Sequence, residues 1–265
     1  MRGATTACLA LLLAGCAQTV DKGRPTGNTS ASSAANAAGN SVTNSVTNSV
    51  TNSVATFDPK QIGKTDVDRV ADLHRREIFV SVRALAEKLY RRNPREWKKG
   101  GHASIEAALD RLLDPRSGWR LPETAGRRGT DAILLALRDD FDGDRVAAFI
   151  AGMGGMLNVA FEEKTEFFMI DELDPQKLYN SARNLEIAAW KLATARDTSG
   201  VLLLLSNEMA LAPQPANLSF EREFGKMIGS LDLLSSLIAL KGHRTIARVA
   251  QSVATAVFLP VMALR

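Results

Sequence analysis

The sequence predicts an all-α protein, a multi-helix bundle of about seven helices that follows a disordered N-terminal tether. Three observations carry this prediction. From Asp66 onward, apolar residues recur with the 3.6-residue period of amphipathic helices. Capping residues, glycines and prolines bound the segments that have this period. One short apolar run, Val201 to Leu205, could form a strand, but the sequence offers it no clear partner.

Four of the predicted helices have an N-terminal signal. Thr65 and Asp68 have the spacing of a capping box, Asp144 can cap the helix that starts at residue 145, and Asp174 precedes a proline at the first helical position. Ser219 can cap the helix that runs to residue 240. The pair Asn93-Pro94 ends the first helix. The seven predicted helices cover approximately residues 66–92, 103–113, 130–140, 145–163, 175–196, 219–240 and 244–264.

Two stretches, 146–161 and 249–264, each hold 16 residues without a charge. As helices they would be only about 24 Å long, shorter than a hydrocarbon core of ~30 Å. We therefore favour two buried central helices over membrane insertion. Gly152, Gly154 and Gly155 in the first stretch permit close approach of another helix. A shallow apolar groove beside these glycines, open to a lipid or a peptide, is the candidate ligand site.

The N-terminal 15 residues have the pattern of a signal peptide, with Arg2 followed by a short apolar run that ends before Cys16. The residues Leu13-Ala14-Gly15-Cys16 resemble the lipobox of bacterial lipoproteins, which implies cleavage before Cys16 and lipidation of its side chain. The alternative is an ordinary cleaved signal with an incidental cysteine. Ala17 follows rather than Asp, which favours the outer membrane over the inner membrane, with the protein facing the periplasm.

Residues 16–65 are predicted to be the lipidated cysteine and its tether. No charged residue occurs from Pro25 to Phe57, and the unit Ser41-Val42-Thr43-Asn44 repeats at Ser45 and Ser49. Such a polar chain cannot offset the entropy of ordering, so a spacer is favoured over a repeat that binds a ligand. About 49 residues of coil would span roughly 40 Å on average.

Residues 66–265 remain for one domain with its own core. Without Arg2, the mature chain has 32 basic and 29 acidic residues, a balance that does not indicate a nucleic-acid partner. After removal of Cys8 and modification of Cys16, no free thiol remains for a disulfide or a thiolate metal site.

No sequence motif of a known catalytic or metal site is present. The segment Asp140 to Asp144 suggests calcium, but Arg145 and Ala151 stand where an EF-hand loop requires Gly and Glu. His74 lies on an apolar stripe with Glu77 one turn away, a pattern more typical of a core histidine than of a metal ligand. We predict no cofactor and no metal. A carboxylate-based hydrolase stays open, because the acidic residues around Phe167-Phe168 could border a cleft, namely Glu162, Glu163, Glu166, Asp171 and Glu172.

Several stretches together resemble an uncharacterised family of proteobacterial membrane lipoproteins. They include Leu89-Tyr90-Arg91-Arg92-Asn93-Pro94, Leu173-Asp174-Pro175-Gln176-Lys177-Leu178-Tyr179-Asn180 and Ser219-Phe220-Glu221-Arg222-Glu223-Phe224-Gly225-Lys226. This resemblance implies a Gram-negative envelope protein and supplies no catalytic residue.

Three hypotheses about function follow. The first is a non-enzymatic interaction or structural module, held to the membrane by lipid and acting on envelope protein partners. The second is a binder or carrier of an apolar ligand, such as a lipid or an acyl chain, near Gly152 to Gly155. The third is a carboxylate-based cell-wall hydrolase.

Overall fold

A computed structural model describes residues 62–207 and 217–261 of the chain. The prediction of an all-α multi-helix bundle is confirmed. Within these ranges there are seven α-helices, α1 (Asp66–Arg92), α2 (Pro94–Lys99), α3 (Ile105–Leu112), α4 (Thr130–Ala136), α5 (Arg145–Ala160), α6 (Pro175–Thr194) and α7 (Ser219–Lys241). The predicted signal peptide, Cys16 and nearly all of the predicted tether lie outside the described residues.

The predicted caps at Thr65, Asp144 and Asp174 form as expected. Ser219 is wrong as a cap, because it is the first helical residue of α7, and Leu218 at the N-cap position makes no side-chain cap hydrogen bond. The Thr65 hydroxyl accepts a hydrogen bond from the Asp68 N–H, and the Asp68 carboxylate accepts one from the Thr65 N–H. Asp144 caps α5 by accepting the Ala147 N–H at 2.9 Å, and Asp174 caps α6. These side chains satisfy N–H groups that have no partner inside the helix, which is why the predicted starts agree with the observed ones.

The uncharged helix α5 is the centre of the bundle. Apart from Gly155, Asn158 and Val159, every residue from Arg145 to Ala160 is buried. Helix α4 packs along α5, α1 packs on α5 and α7, and α6 packs on α7. The core residues of the described ranges lie between Ala71 and Val261. None of the described helices combines the length and the apolar character needed to cross a membrane.

The predicted last helix is wrong for its described part. Residues 244–261, which we call the C-terminal segment, form no helix and run along α6. Polar side chains of α6 satisfy part of its backbone, so the segment does not need intrahelical hydrogen bonds. The sequence also did not predict α2, because Pro94 was taken only as a helix end, whereas it also occupies the first position of a new helix.

The apolar run from Val201 to Leu205 forms no strand of its own. A single antiparallel bridge joins Leu202 to Arg196 just after α6. Leu204 is buried in the core. The Asn93 side chain accepts the Leu205 N–H at 2.8 Å and donates to the Leu205 carbonyl at 2.9 Å. The run is therefore an irregular segment that side chains of the bundle hold in place.

Candidate functional site

A line of polar side chains on α6 is the most specific binding arrangement in the described structure. Gln176, Asn180 and Asn184 are spaced four residues apart, which places them on one face of the helix, and Tyr179 lies beside them. The apolar stripe of α6, which includes Leu178, faces the core instead. We call these four polar residues the α6 ladder.

Two carboxamides of the α6 ladder each hold both backbone groups of one residue in the C-terminal segment. The Gln176 side chain accepts the Ala247 N–H at 2.8 Å and donates to the Ala247 carbonyl at 3.1 Å. The Asn184 side chain does the same for Leu259, at 2.6 and 2.8 Å. A neighbouring β-strand would offer the backbone a similar donor and acceptor pair.

The other two members of the ladder complete the contact. The Tyr179 hydroxyl accepts the Val249 N–H at 3.2 Å, and the Asn180 amide donates to the Pro260 carbonyl at 2.7 Å. Gln176 also donates to the Asn180 carboxamide oxygen at 2.9 Å, which orients both side chains. Asn180 and Asn184 are buried, so loss of these partners would leave polar groups unsatisfied away from water.

Most side chains of the C-terminal segment contribute little to this contact. Val261 is buried, and Phe258 packs partly against the core. Four others are half-buried, namely Ile246, Val253, Ala256 and Leu259. An open cavity of about 480 Å³ lies between α6 and the segment, with Arg183, Glu186 and Ile187 on its helical side. The ladder therefore binds backbone groups rather than a particular side-chain pattern. It holds residues 247 and 249 and then residues 259 and 260, and the chain between them loops back through a turn at residues 252–255.

A second polar cluster lies at the start of α5. The Asp144 carboxylate accepts the Tyr90 hydroxyl at 2.9 Å as well as the Ala147 N–H. Burial raises the pKa of Asp144, and the nearby Glu96 carboxylate adds to this rise, while the two hydrogen bonds oppose it. Burial and the adjacent Asp144 also raise the pKa of Tyr90.

The partners of Glu96 explain why this cluster exists. Glu96 accepts the backbone N–H of Arg145 at 2.9 Å, and the Arg145 guanidinium donates to the carbonyls of Ala136 and Asp139 at the end of α4 and just beyond it. The two carboxylates thus satisfy free N–H groups in the first turn of α5. Their chemistry is that of helix capping.

The glycines of the predicted ligand groove face the chain's own atoms. A Cβ atom added at Gly152 would lie 2.7 Å from the Gly129 carbonyl oxygen, and one at Gly154 would lie 2.3 Å from the Trp119 ring. At Gly155, the nearest atom would be 3.5 Å away. Trp119 and the start of α4 therefore occupy the space beside Gly152 and Gly154, and these glycines allow the close packing.

The other residues singled out in the sequence also have structural partners. Lys177 pairs with Glu162 at 2.9 Å, Arg244 pairs with Glu172 at 3.0 Å, and Lys164 pairs with Asp171. Burial lowers the pKa of His74, and no hydrogen bond or ion pair joins it to Glu77 within the described ranges. In the same ranges, no group of three or more His, Cys, Asp or Glu side chains is arranged to hold a metal ion.

Sequence reasoning missed the α6 ladder, although one signal was present. Asparagine is a poor helix former. Two asparagines and a glutamine at four-residue spacing in a well-capped helix therefore indicate a polar face that hydrogen-bonds to another part of a protein. What the sequence alone could not show is that the partner of this face is the chain's own backbone, some 70 residues further on.

Comparison with known proteins gives this site no precedent. No protein-family model matches the chain, and no curated protein or solved structure is similar enough to count as a match.

Proposed function

We propose that the protein is a lipoprotein of the bacterial envelope, anchored through Cys16, whose helical domain is a non-enzymatic interaction module. The observation that carries this proposal is the α6 ladder, which binds the backbone groups of a looped polypeptide segment. The lipobox-like sequence at Cys16 supports the anchor, and an outer-membrane location facing the periplasm is part of the same proposal.

The C-terminal segment indicates what kind of partner fits the ladder. From residue 249 to residue 261 it has no charged side chain, and an apolar end at Phe258 and Val261 contacts the core. A partner would therefore supply an uncharged, looped segment that ends in apolar residues. In the free protein the C-terminal segment occupies the ladder, and a partner replaces it.

The strength of the contact is compatible with such replacement. A hydrogen bond in a protein contributes about 1 kcal/mol net, so the ladder contributes only several kcal/mol. The covalent link gives the chain's own segment a high effective concentration. A partner segment competes well only when that intramolecular contact is weakened or when the partner is held close by.

A synthetic peptide with the sequence of residues 244–261 tests the proposal. The protein is the chain from Ala17 onward, which keeps the whole described core. Ala247→Pro with Leu259→Pro removes two N–H groups that donate to the ladder, so the C-terminal segment is loosened while α6 is unchanged. Fluorescence anisotropy should then show saturable binding of the labelled peptide to this variant.

Two further variants complete the experiment. Val253→Pro is the matched control, because residue 253 is the second residue of a turn closed by the Thr255 N–H and proline is favoured there. It should bind the peptide as weakly as the unmodified chain. Adding Asn180→Ala and Asn184→Ala to the loosened variant should abolish binding. A folded, loosened variant that does not bind the peptide would disprove the proposal.

A further inference from the structure

A groove beside α1 combines positive charge with apolar surface. It lies between α1 and the loop after α5, and its volume is about 510 Å³. Its lining residues, which define the α1 groove, are Lys64, Asp72, Arg75, Arg76, Phe79, Val80, Arg83, Thr165 and Glu166. Four cationic side chains therefore face two carboxylates.

Lys64 contacts both carboxylates of the groove. It forms an ion pair with Asp72, and its Nζ lies 3.8 Å from the Glu166 carboxylate. Asp72 also accepts the Phe167 N–H at 2.8 Å. The Lys64 side chain is only 5% exposed, so this set closes one end of the groove.

The three arginines of the α1 groove are Arg75, Arg76 and Arg83. None of them makes an ion pair with a carboxylate within the described ranges. Arg75 is the most constrained of them, because its guanidinium lies 4.6 Å from the centre of the Phe79 ring. Its Nε atom is buried and has no hydrogen-bond partner. Burial lowers the pKa of Arg75, and Asp72 opposes this. A guanidinium in this state lacks an acceptor for its N–H donors.

The platform beneath Arg75 is rigid. Phe79 stacks on Trp119 with ring centres 5.7 Å apart, and Trp119 lies against Gly154 of the central helix. The guanidinium is therefore held in place before any ligand arrives, which reduces the entropy lost on binding.

Apolar residues border the cationic ones on the exposed face of α1. Leu73 and Val80 are 47% and 56% exposed, and they alternate with Arg76 and Arg83 at helical spacing. A helix face of this kind, basic and apolar together, is typical of segments that lie in the interfacial region of a membrane.

We propose that the α1 groove binds the phosphate of an anionic lipid headgroup, with Leu73 and Val80 in contact with the lipid surface. Charge complementarity and the Arg75 Nε, which is buried without a hydrogen-bond partner, favour phosphate, and the exposed apolar residues favour a lipid over a free ion. This second attachment is separate from the α6 ladder. The 45 residues between Cys16 and Ile62 are long enough for the domain to reach the membrane that holds the anchor.

Vesicle sedimentation tests this proposal with the chain from Ala17 onward, which has neither signal nor Cys16. The chain should bind vesicles of phosphatidylcholine with phosphatidylglycerol, and should not bind phosphatidylcholine alone. Added salt should weaken the binding. Arg76→Gln with Arg83→Gln should weaken it about 25-fold, because each arginine near an anionic surface contributes about fivefold.

Two controls separate the groove from net charge. Arg95→Gln with Arg222→Gln removes the same charge from exposed positions outside the groove and should leave binding nearly unchanged. Arg75→Lys keeps the charge but loses the forked donors, so it should weaken binding severalfold. If Arg75→Lys binds like the unmodified chain, or if the control pair weakens binding as much as the groove pair, the proposal fails.

Titration with inorganic phosphate distinguishes the lipid headgroup from a free anion or another macromolecule. The proposal expects much weaker affinity for free phosphate than for the mixed vesicles, since the apolar contacts are then missing. Binding to phosphate or to an acidic peptide without binding to the mixed vesicles would overturn it. Circular dichroism of every variant excludes loss of fold as the cause, and the peptide assay for the ladder is independent of all these outcomes.

Discussion

Gly154→Ala is the substitution whose effect the packing of α5 predicts most clearly. The added methyl would lie 2.3 Å from the Cε3 and Cζ3 atoms of Trp119, closer than any stable contact. Trp119 cannot move freely, because it also stacks on Phe79. Either α5 or the Trp119 ring must shift, and both are parts of the packed bundle.

The magnitude follows from two opposed effects. Overpacking of a core usually costs about 1–3 kcal/mol. Replacement of glycine by alanine inside a helix contributes about 1 kcal/mol in the other direction. We expect Gly154→Ala to lower the free energy of unfolding by ~1–2 kcal/mol, taking the upper part of the overpacking range because the contact is so short.

Gly155→Ala is the matched control, one position further along the same helix. Its added Cβ would be 3.5 Å from the Trp119 Cβ, an ordinary van der Waals contact. Only the gain in helix propensity applies, so this variant should be more stable than the unmodified chain by ~0.5–1 kcal/mol.

Urea denaturation followed by tryptophan fluorescence measures both variants. The double variant Gly154→Ala with Trp119→Ala should show less than the sum of the two single losses, since the clash is removed. If Gly154→Ala proves as stable as Gly155→Ala, Trp119 does not occupy the space beside Gly154, and the predicted ligand groove there is open again.

Three further predictions concern other parts of the molecule. Burial raises the pKa of Asp144, so its contribution to stability is complete below the ordinary carboxyl pKa of about 3.9 and is lost as the pH rises through the folded value. Asp144→Asn keeps the cap but removes this loss. Its free energy of unfolding relative to that of the unmodified chain, measured by urea denaturation, should therefore increase from about pH 4 towards pH 7. If the free energies of unfolding of the two chains change equally with pH, the burial of that carboxyl is contradicted. Asn180→Ala with Asn184→Ala should speed tryptic cleavage after Arg248, whereas Asn158→Ala on α5 should leave the cleavage rate unchanged; equal rates in both would show that the ladder does not hold the C-terminal segment. Cys16→Ser should abolish fatty-acid labelling and membrane retention with the bundle still folded, and a labelled variant that sediments with membranes would refute the anchor.

The helix starts were predictable because their causes are local. Thr65, Asp144 and Asp174 cap helices through N–H groups two or three residues away, so the pattern is visible in a few letters of sequence. The buried position of α5 was also predictable, since a helix without charged residues belongs in a core.

The binding sites were not predictable, because their partners are distant along the chain. The C-terminal segment has a helix-like apolar content, but the carboxamides of Gln176 and Asn184 compete for its backbone. Similarly, the sequence predicts that another part of the chain can approach Gly154 closely, and only the fold shows that this part is Trp119. Arg75 likewise looks like one of several arginines until Phe79 and Asp72 are placed around it.

Amide hydrogen exchange, measured with the 244–261 peptide present, tests most directly whether a peptide replaces the C-terminal segment on the α6 ladder. The Ala247, Val249 and Leu259 amides donate to the ladder and should be protected in the free chain. As unlabelled peptide with protonated amides is added in excess, their exchange should accelerate while exchange in the α5 core stays unchanged. If the three amides keep their protection at peptide concentrations that saturate binding, the peptide does not replace the C-terminal segment, and the proposed mode of partner binding is contradicted.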